Sequence, residues 1–294
     1  MTQQLIIGTR GSALALVQSH RVRDELQKLY PDVQIHVLII QTSGDKSQAT
    51  NTPLASYSEK GIFAKELEVA LLDREIDIAV HSMKDVATTL PPGLQITAVP
   101  RRVNVSDALL GKTLDQLQPG ERIGTGSVRR SALLRHLRPD LNIVDIRGNV
   151  DTRITKLKNG LYESIVLAVA GLDRLGRWSE IAEILDPNTF VPDPGQGALA
   201  VQTRTNDERI NGLVAPLNHA ESFAAITAER SFLASYGGGC QTPVGAWASV
   251  VEGAFQIVAM AAVNNTEPRL TIQQGNIGDP ESLGKLAAEK LMVL

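Results

Sequence analysis

Charged side chains follow a short apolar segment in "DIAVHSMKD", residues 77–85. The apolar part predicts a buried strand, and His81, Lys84 and Asp85 come directly after it. In open α/β sheets, ligands bind beyond the carboxyl ends of the strands. A carboxylate held there beside a lysine can transfer a proton or stabilise a developing cation. On these residues alone, an ordinary solvated Lys–Asp pair stays an open alternative.

Two predicted strand-to-helix turns, "IGTRGS" at 7–12 and "IGTGSVRRS" at 123–131, share small residues and arginines. The N-terminus of a helix presents unpaired N–H groups and the positive end of its dipole, so an anion can bind there. Arginine binds a carboxylate or phosphate through two parallel hydrogen bonds. Tight turns with solvated arginines remain the alternative for either turn alone. Six arginines follow predicted strands or lie near the start of predicted helices, and the last of them follows the predicted strand "SIVLAVA": Arg10, Arg129, Arg130, Arg147, Arg153 and Arg174. Together they favour an anionic ligand with several carboxylates or phosphates.

The loop "GGGCQTPVG", residues 237–245, holds the only cysteine of the chain, Cys240. A free cysteine is commonly packed as a small hydrophobic residue. Three consecutive glycines argue against a regular helix or strand here, and their N–H groups could stabilise a thiolate. From the residues alone, a packed thiol and a nucleophile both stay open.

The elements that must position these residues follow a repeating order. A β-α-β-α-β pattern runs to about residue 82 and restarts near residue 121, which predicts two α/β lobes with mixed, mostly parallel sheets. The Pro/Gly-rich "FVPDPGQGALAVQTR" returns the chain to the first lobe. From about residue 219 a helix, three alternating strands and a final helix predict a small α+β domain with an antiparallel sheet. We therefore expect domain 1 at 1–99 and 197–217, domain 2 at 100–196 and domain 3 at 218–294.

The composition is that of an ordinary globular protein. Hydrophobic residues make up 43% and charged residues 21%, and one cysteine cannot form an internal disulfide. The net charge of −3 argues against nucleic-acid binding. No segment reads as a secretory signal or a membrane span, so we expect a cytoplasmic protein without membrane contact. The five histidines are isolated, and no metal site is predicted.

Several of these segments occur in the same order in one enzyme family. They are "IGTRGSALAL", "KGIFAKELEVALL", "DIAVHSMKD", "GTGSVRRSALL", "IRGNVDTRITKL", "VLAVAGLDRLG", "PGQGALA" and "GGGCQTPVGAWA". The sequence resembles the porphobilinogen deaminase, or hydroxymethylbilane synthase, family over most of its length. The resemblance implies two lobes like those of bilobal binding proteins and a C-terminal α+β domain. It also implies a monomeric transferase of tetrapyrrole biosynthesis that deaminates porphobilinogen and joins it head to tail into hydroxymethylbilane.

The resemblance also implies roles for individual residues. Cys240 would hold a dipyrromethane cofactor through a thioether, and Asp85 would be the catalytic carboxylate. The six arginines above would bind the carboxylates of cofactor and substrate. The supporting contacts would come from Ser12, Lys60, Lys84, Thr125, Ser127 and Gly148.

The chain departs from the family pattern at three places. Ser56 stands where the family usually has a lysine, Gln202 stands where it commonly has glutamate, and "GGGC" replaces the commoner "EGGC". None of these changes touches the arginines, Asp85 or Cys240, so activity remains the expectation.

Two other functions compete with an enzyme. A bilobal binding protein for a small acidic ligand would explain two lobes and an arginine-lined cleft, but not Cys240. A nucleic-acid-binding module would use the arginine clusters, but 4% aromatic residues and the absence of a known motif count against it.

Overall fold

The structure is a computed structural model that describes residues 4–42, 64–237, 242–262 and 267–293. Lys60 and Cys240, two of the predicted site residues, lie outside these ranges, as does Ser56. The chain divides into two compact units. Unit 1 comprises Met1–Arg102 and Ala198–Phe223, and unit 2 comprises Val103–Gly197 and Ala224–Leu294.

Unit 1 is built on a five-stranded sheet. Its elements in chain order are β1 (Gln4–Thr9), α1 (Ala13–Leu29), β2 (Gln34–Ile39), α2 (Lys65–Leu72), β3 (Ile78–Ser82), β4 (Leu94–Ala98), β10 (Leu199–Arg204) and α6 (Glu208–Val214). The strand order is β2-β1-β3-β10-β4. Strand β1 pairs in parallel with β2 and β3, whereas β10 pairs antiparallel to β3 and β4.

Side chains of this sheet alternate between two cores, as the two-residue period of a strand requires. Leu5 and Ile7 face one core, which α1 and α6 complete with Val22 and Ile210. Ala79 faces the other core with Leu67 and Leu71 of α2. Both faces are therefore covered, and the site residues that follow the strands extend from a rigid base.

Unit 2 contains a second five-stranded sheet. Its elements are β5 (Asp107–Gly111), β6 (Arg122–Gly124), α3 (Val128–Leu137), β7 (Asn142–Val144), α4 (Val150–Lys158), β8 (Ser164–Ala168), α5 (Val169–Arg174) and β9 (Glu183–Ile184). The strand order is β7-β6-β8-β5-β9. Strand β6 pairs in parallel with β7 and β8, and β5 pairs antiparallel to β8 and β9.

The two sheets therefore repeat one arrangement, with two parallel pairings followed by two antiparallel ones. This confirms the mixed sheets and the two α/β lobes that the repeating order of elements predicted. Parallel pairings make up half of each sheet, fewer than the sequence predicted. The reason is that β10, β4, β5 and β9 all join on the antiparallel side.

The C-terminal part of the chain, which belongs to unit 2 from Ala224 on, is the predicted α+β segment. Its elements are α7 (Ala220–Ser235), β11 (Val244–Val251), β12 (Ala254–Ala261), β13 (Arg269–Gly275) and α8 (Pro280–Val293). The three strands form an antiparallel sheet. One core joins the sheet to Phe232 and Leu291 of the helices, and another joins Val258 and Met260 to Phe190. The division of the chain into three domains stays a prediction.

Two predicted strand ends were wrong. Strand β3 continues through His81 and Ser82, because these residues pair with Ala200 and Leu199 of β10. Strand β8 ends at Ala168 and α5 begins at once, so Arg174 ends a helix and does not follow a strand. The apolar run "SIVLAVA" could not distinguish the two, since a short buried helix and a buried strand read alike.

Within the described ranges, no helix combines the length and the apolar character that crossing a membrane would require.

Candidate active site

In unit 1, the turn after β1 brings two predicted site residues together. Arg10 follows Thr9, and Ser12 caps α1, its hydroxyl accepting a hydrogen bond from the Ala15 N–H at 3.3 Å. Serine at an N-cap is favoured because it satisfies one of the unpaired N–H groups of the first turn. The beginning of α1 therefore fixes the backbone beside Arg10.

Strand β3 delivers the second part of this site. His81 and Ser82 end the strand, and a 3-10 turn over Met83–Asp85 follows directly. Lys84 and Asp85 lie half-buried on this turn, while Met83 is buried and holds the turn to the core. The predicted position of Asp85 just beyond a strand end is therefore confirmed, with His81 one step further back, inside the strand.

These residues surround one polar cavity of about 60 Å³. Its wall contains both cationic and anionic groups as well as neutral donors: Arg10, Ser12, Gln18, His81, Ser82 and Asp85. The Gln18 amide donates to the Ser82 hydroxyl at 2.9 Å. Five of the six residues come from the turn after β1 or the end of β3, and Gln18 comes from α1. A small polar group of a ligand can here meet a guanidinium and a carboxylate at once.

His81 is a buried histidine whose pKa is lowered to about 4. Burial is the main cause, and the charge of Arg10 adds to it, while the hydrogen bond to Gln202 acts in the opposite direction. The imidazole is therefore neutral near pH 7. Sequence analysis noted His81 beside Asp85 and did not anticipate that it would be buried and uncharged.

In unit 2, two strand-to-helix turns lie side by side. Ser127 caps α3 by accepting from the Arg130 N–H at 3.4 Å, and the Thr125 hydroxyl accepts from the Ser127 N–H at 3.2 Å. Asn149 caps α4 by accepting from the Thr152 N–H at 2.9 Å. A Cβ atom built on Gly126 would lie 2.9 Å from Asp145 Oδ1 and 3.2 Å from the Ile146 carbonyl oxygen, so the two turns approach closely here. Two helix N-termini thus meet at one place.

Three arginines concentrate positive charge beside these helix ends. The Arg153 guanidinium donates from Nε to the Gly148 carbonyl at 2.8 Å, and Arg147 pairs with Asp145 at 2.9 Å. Burial lowers the pKa of Arg153 to about 10, and the nearby charges of Arg130 and Arg147 contribute in the same direction. Gly148 has a φ of +112°, which lets its carbonyl turn toward Arg153. Such an excess of cations is what an anionic ligand would neutralise.

Arg129 and Arg130 are more deeply buried than the sequence indicated. Arg129 Nη2 lies 2.7 Å from Asp107 Oδ2 and Arg130 Nη2 lies 2.6 Å from Asp107 Oδ1. Their other contacts are to backbone carbonyls, from Arg129 Nη1 to Val191 at 2.7 Å and from Arg130 Nη1 to Val166 at 3.0 Å. Within the described ranges, the buried Nε atoms of both arginines have no hydrogen-bond partner.

Asp107 is a residue of this network that sequence analysis missed. Burial opposes its ionisation, but the adjacent charges of Arg129 and Arg130 outweigh burial and hold the pKa of Asp107 far below its usual range. Gln196 donates to the same carboxylate at 2.9 Å. A single carboxylate faces two guanidinium groups, so the network keeps a net positive charge. A signal existed in principle, because an aspartate at the start of a fully apolar strand must find a cationic partner.

Arg174 lies at another point of unit 2. It is the last residue of α5, and its Nη2 donates to the Gly197 carbonyl at 2.8 Å. Gly197 has a φ of +85°, and a Cβ atom there would lie 2.8 Å from the Val103 carbonyl oxygen. Arg174 is thus tied to the "PGQG" segment, whereas Arg130, Arg147 and Arg153 form the cluster at the helix ends.

The elements on both sides of Cys240 are firmly held, although Cys240 itself lies outside the described residues. Before it, the fully buried Glu229 of α7 accepts from the N–H groups of Gly195 at 2.7 Å and Ala248 at 2.8 Å. After it, a Cβ atom on Gly245 would lie 2.7 Å from the Val191 carbonyl oxygen. That oxygen also accepts from Arg129. Residues flanking the cysteine in sequence therefore meet the same segment as the buried arginines.

Comparison with known proteins gives a consistent result. The family model "Porphobilinogen deaminase, dipyromethane cofactor binding domain" matches residues 5–212, and "Porphobilinogen deaminase, C-terminal domain" matches residues 223–293. A porphobilinogen deaminase of Roseiflexus sp. (strain RS-1) is 46% identical over 99% of this chain and 97% of its own length. One from Thermus thermophilus is 45% identical over 95% of this chain and 92% of its own length.

Among solved structures, the methionine binding protein MetQ aligns with 73% of this chain and 89% of its own, at 11% identity and a TM-score of 0.46.

Proposed function

This chain belongs to the porphobilinogen deaminase family, and on that premise we propose how its residues divide the work of the reaction. The enzyme is a transferase that deaminates porphobilinogen and joins it head to tail into the linear tetrapyrrole hydroxymethylbilane. We propose that the unit 2 arginines hold the ligand carboxylates and that Asp85 of unit 1 acts on the reacting ring. The cytoplasmic location and the monomeric state that the family resemblance implies belong to this proposal.

The observation that carries the proposal is the arginine cluster at the two adjoining helix ends. Porphobilinogen bears an acetate and a propionate, so a growing polypyrrole gathers carboxylates ring by ring. Arg147 and Arg153, with the N–H groups at the starts of α3 and α4, offer positive charge and hydrogen-bond donors to a polyanion. The lowered pKa of Arg153 supports this, because a bound carboxylate would relieve its repulsion from Arg130 and Arg147.

The elements that flank Cys240 in sequence support a covalently held dipyrromethane. Among the described residues, the buried Nε atoms of Arg129 and Arg130 have no hydrogen-bond partner, and their network carries one positive charge in excess of Asp107. Strand β11, which follows the cysteine in sequence, approaches at Gly245 the Val191 carbonyl that Arg129 contacts. Cys240 would supply the thioether, and Arg129, Arg130, Arg147 and Arg153 would hold the cofactor carboxylates. When bound, the cofactor supplies the free pyrrole carbon from which the product chain grows.

The role of Asp85 follows from the charge that develops on the substrate. Cleavage of the C–N bond releases ammonia and leaves a methylene-pyrrole whose positive charge spreads to the ring nitrogen. A fixed carboxylate beside that N–H stabilises the charge, and it can accept the proton that the ring loses when the new C–C bond forms. Arg10 and Ser12, across the same cavity, would orient the substrate's own carboxylates. Lys60, Lys84, Thr125, Ser127, Gly148 and Arg174 are proposed as supporting contacts.

Replacing Asp85 tests the catalytic assignment. Asp85→Asn should lower kcat by about 100-fold or more, since it removes the proton acceptor and the negative charge while keeping the shape. Intact mass must first show that the variant carries the cofactor. Asp73→Asn, an exposed change in the same unit, is the matched control and should keep full activity. Near-full turnover of cofactor-loaded Asp85→Asn would refute this role.

Intact mass spectrometry separates the enzyme from an acidic-ligand binding protein. The purified protein should exceed its sequence mass by two porphobilinogen units less two molecules of ammonia, and Cys240→Ser should lack this addition. A binding protein would release its ligand on denaturation and show the sequence mass. If the unmodified protein also gained no mass with added porphobilinogen, the covalent cofactor would be excluded.

A further inference from the structure

Three side chains of unit 1 form a hydrogen-bonded chain that ends at the polar cavity. Glu68 of α2, Gln202 of β10 and His81 of β3 form it, and His81 lines the cavity together with Asp85. The Gln202 Nε2 atom lies 3.1 Å from Glu68 Oε1, and the Gln202 Oε1 atom lies 2.9 Å from His81 Nε2. Gln202 has no exposed surface and His81 has 6%.

The chemistry of these groups allows only one arrangement of protons. An ionised carboxylate accepts hydrogen bonds and cannot donate, so the Gln202 amide must turn its NH₂ toward Glu68. Its carbonyl oxygen then faces His81 and can only accept. His81 must therefore carry a proton on Nε2, which in the neutral ring leaves Nδ1 as an acceptor. Glu68 thus determines the orientation of the Gln202 amide, and that orientation determines the tautomer of His81.

Charged groups of both signs lie on the elements next to His81. Arg10 from the end of β1 and Lys84 on the turn after β3 are cations, and Asp85 on that turn is an anion. The groups that α1 and β10 present are the neutral Gln18 and Gln202, and Glu68 reaches His81 only through the amide. Burial is the main cause of the His81 pKa of about 4; the hydrogen bond to Gln202 raises the pKa, and the charge of Arg10 lowers it.

We propose that Gln202 is a positioning residue that, oriented by Glu68, fixes the neutral His81 as the Nε2–H tautomer, and that its uncharged amide lets burial keep an imidazolium from forming beside the Asp85 carboxylate. A protonated His81 in the same small cavity would pair with Asp85 and weaken its interaction with the substrate cation. The consequence for catalysis rests on the proposed function of Asp85, whereas the tautomer and charge of His81 do not. A carboxylate at position 202 would instead favour the imidazolium and narrow the working range of the enzyme at acid pH.

Nuclear magnetic resonance of the cofactor-loaded, ¹⁵N-histidine-labelled enzyme tests the first part. His81→Asn identifies the His81 signals. The expected result is the neutral Nε2–H tautomer from pH 6 to pH 8, and an Nδ1–H tautomer or an imidazolium in that range would overturn the proposal. Glu68→Gln replaces a carboxylate that can only accept with an amide that can donate or accept, so the Gln202 amide is no longer held in one orientation and a mixture of both tautomers should appear. An unchanged single tautomer in Glu68→Gln would contradict the orienting role of Glu68.

The pH dependence of kcat/KM tests the second part. Gln202→Glu places one carboxylate between His81 and the Glu68 carboxylate. The imidazole should therefore take up a proton more readily. If the pKa of His81 returns to 6.5, kcat/KM at pH 6 should fall about fourfold relative to pH 8. The wild type should show no such fall between these pH values. Gln95→Glu, which adds the same charge to β4 of the same sheet, should behave like the wild type.

The outcomes separate the two proposals. An imidazolium at pH 6 in Gln202→Glu with an unchanged kcat/KM profile would overturn the link between His81 and Asp85. Full activity of Asp85→Asn would refute the proposed function and leave the tautomer result standing. If Gln202→Glu did not fold, the measurements on the wild type and Glu68→Gln would still decide whether His81 is held as proposed.

Discussion

Asp107 shows how a residue far from the predicted ligand contacts can determine their geometry. Its carboxylate has no exposed surface, and each of its oxygens accepts from a different arginine, Arg129 or Arg130. Its low pKa means that the network stabilises the folded state above the pKa of the unfolded chain. That contribution is lost only as the pH falls through the much lower folded value. The pairing should therefore persist over the whole range in which the enzyme is assayed.

Removing the charge of Asp107 should be costly. Asp107→Asn leaves two buried guanidinium groups without a counter-ion, so we expect the free energy of unfolding to fall by roughly 3–5 kcal/mol. Urea denaturation followed by circular dichroism measures it. Asp151→Asn, which breaks an exposed pair with Arg177, is the control and should cost less than about 1 kcal/mol. Equal losses in the two variants would contradict a buried structural role for Asp107.

His81 should make the stability depend on pH. Its folded pKa of about 4 is below its ordinary 6.5, so between these values the unfolded chain binds more protons than the folded one. Stability is therefore full above pH 6.5 and falls as the pH drops to about 4, by up to roughly 3 kcal/mol. Urea unfolding at several pH values measures this slope. His81→Asn should flatten it, whereas removal of the exposed His136 should not.

Arg153 should contribute to ligand binding without stabilising the folded protein. Burial and two neighbouring cations oppose its charge, so Arg153→Met should not lower the melting temperature. We expect kcat/KM to fall about tenfold or more, since a bidentate carboxylate contact is lost. Arg177→Met, an exposed change in the same unit, should leave both quantities near wild type. A large drop in melting temperature with unchanged kcat/KM would assign Arg153 a structural role instead.

At the scale of elements, the strand-to-helix units could be predicted because their signals are local. Ser12 and Ser127 each precede a helix and accept from an N–H three residues later, which is the contact that an N-cap predicts. The alternation in "VGAWASVV" likewise gave β11 with the bounds that the structure has, Val244–Val251. The positions of Arg10, Asp85, Thr125 and Ser127 at element ends follow from these units.

Features that depend on distant partners could not be predicted. The strand "DALLG" was not identified, because its pairing with β8 and not its own pattern makes it a strand. The burial of Arg129 and Arg130 depends on Asp107, which precedes them by more than twenty residues. The neutral state of His81 depends on its burial and on the charge of Arg10, which follows another strand. Sequence analysis therefore placed the candidate residues on their elements and underestimated how many of them are buried.

The contact between α7 and α8 gives a prediction at this scale. A Cβ atom on Gly284 would lie 2.7 Å from the Phe232 backbone N, so the two helices approach closely. Gly284→Ala should destabilise unit 2 by about 1–3 kcal/mol, because neither backbone can yield without repacking. Gly212→Ala in α6 is the matched control, since a Cβ atom there meets no atom within 4 Å. Thermal denaturation should show a loss for Gly284→Ala alone, and equal behaviour would contradict the close approach.

At the scale of the whole molecule, Cys240 is proposed as an anchor and not as a turnover nucleophile. Its sulfur would form one thioether when the holoenzyme matures and then hold it. Thiol reagents should therefore label the cofactor-free protein readily and the cofactor-loaded protein poorly, as peptide mass spectrometry can determine. Ready labelling of Cys240 in the loaded protein would contradict the anchor.

The strand order of the two sheets has a consequence for the order of events on the ribosome. All five strands of the second sheet lie between Asp107 and Ile184, so that sheet is fully encoded once this stretch has emerged. The first sheet needs β10, residues Leu199–Arg204, which lies between β3 and β4. Strands β3 and β4 therefore lack their shared partner until the second sheet has been synthesised. Their unpaired edges can pair with wrong strands during this time. The first sheet, although its strands begin the chain, can therefore be completed only after the second.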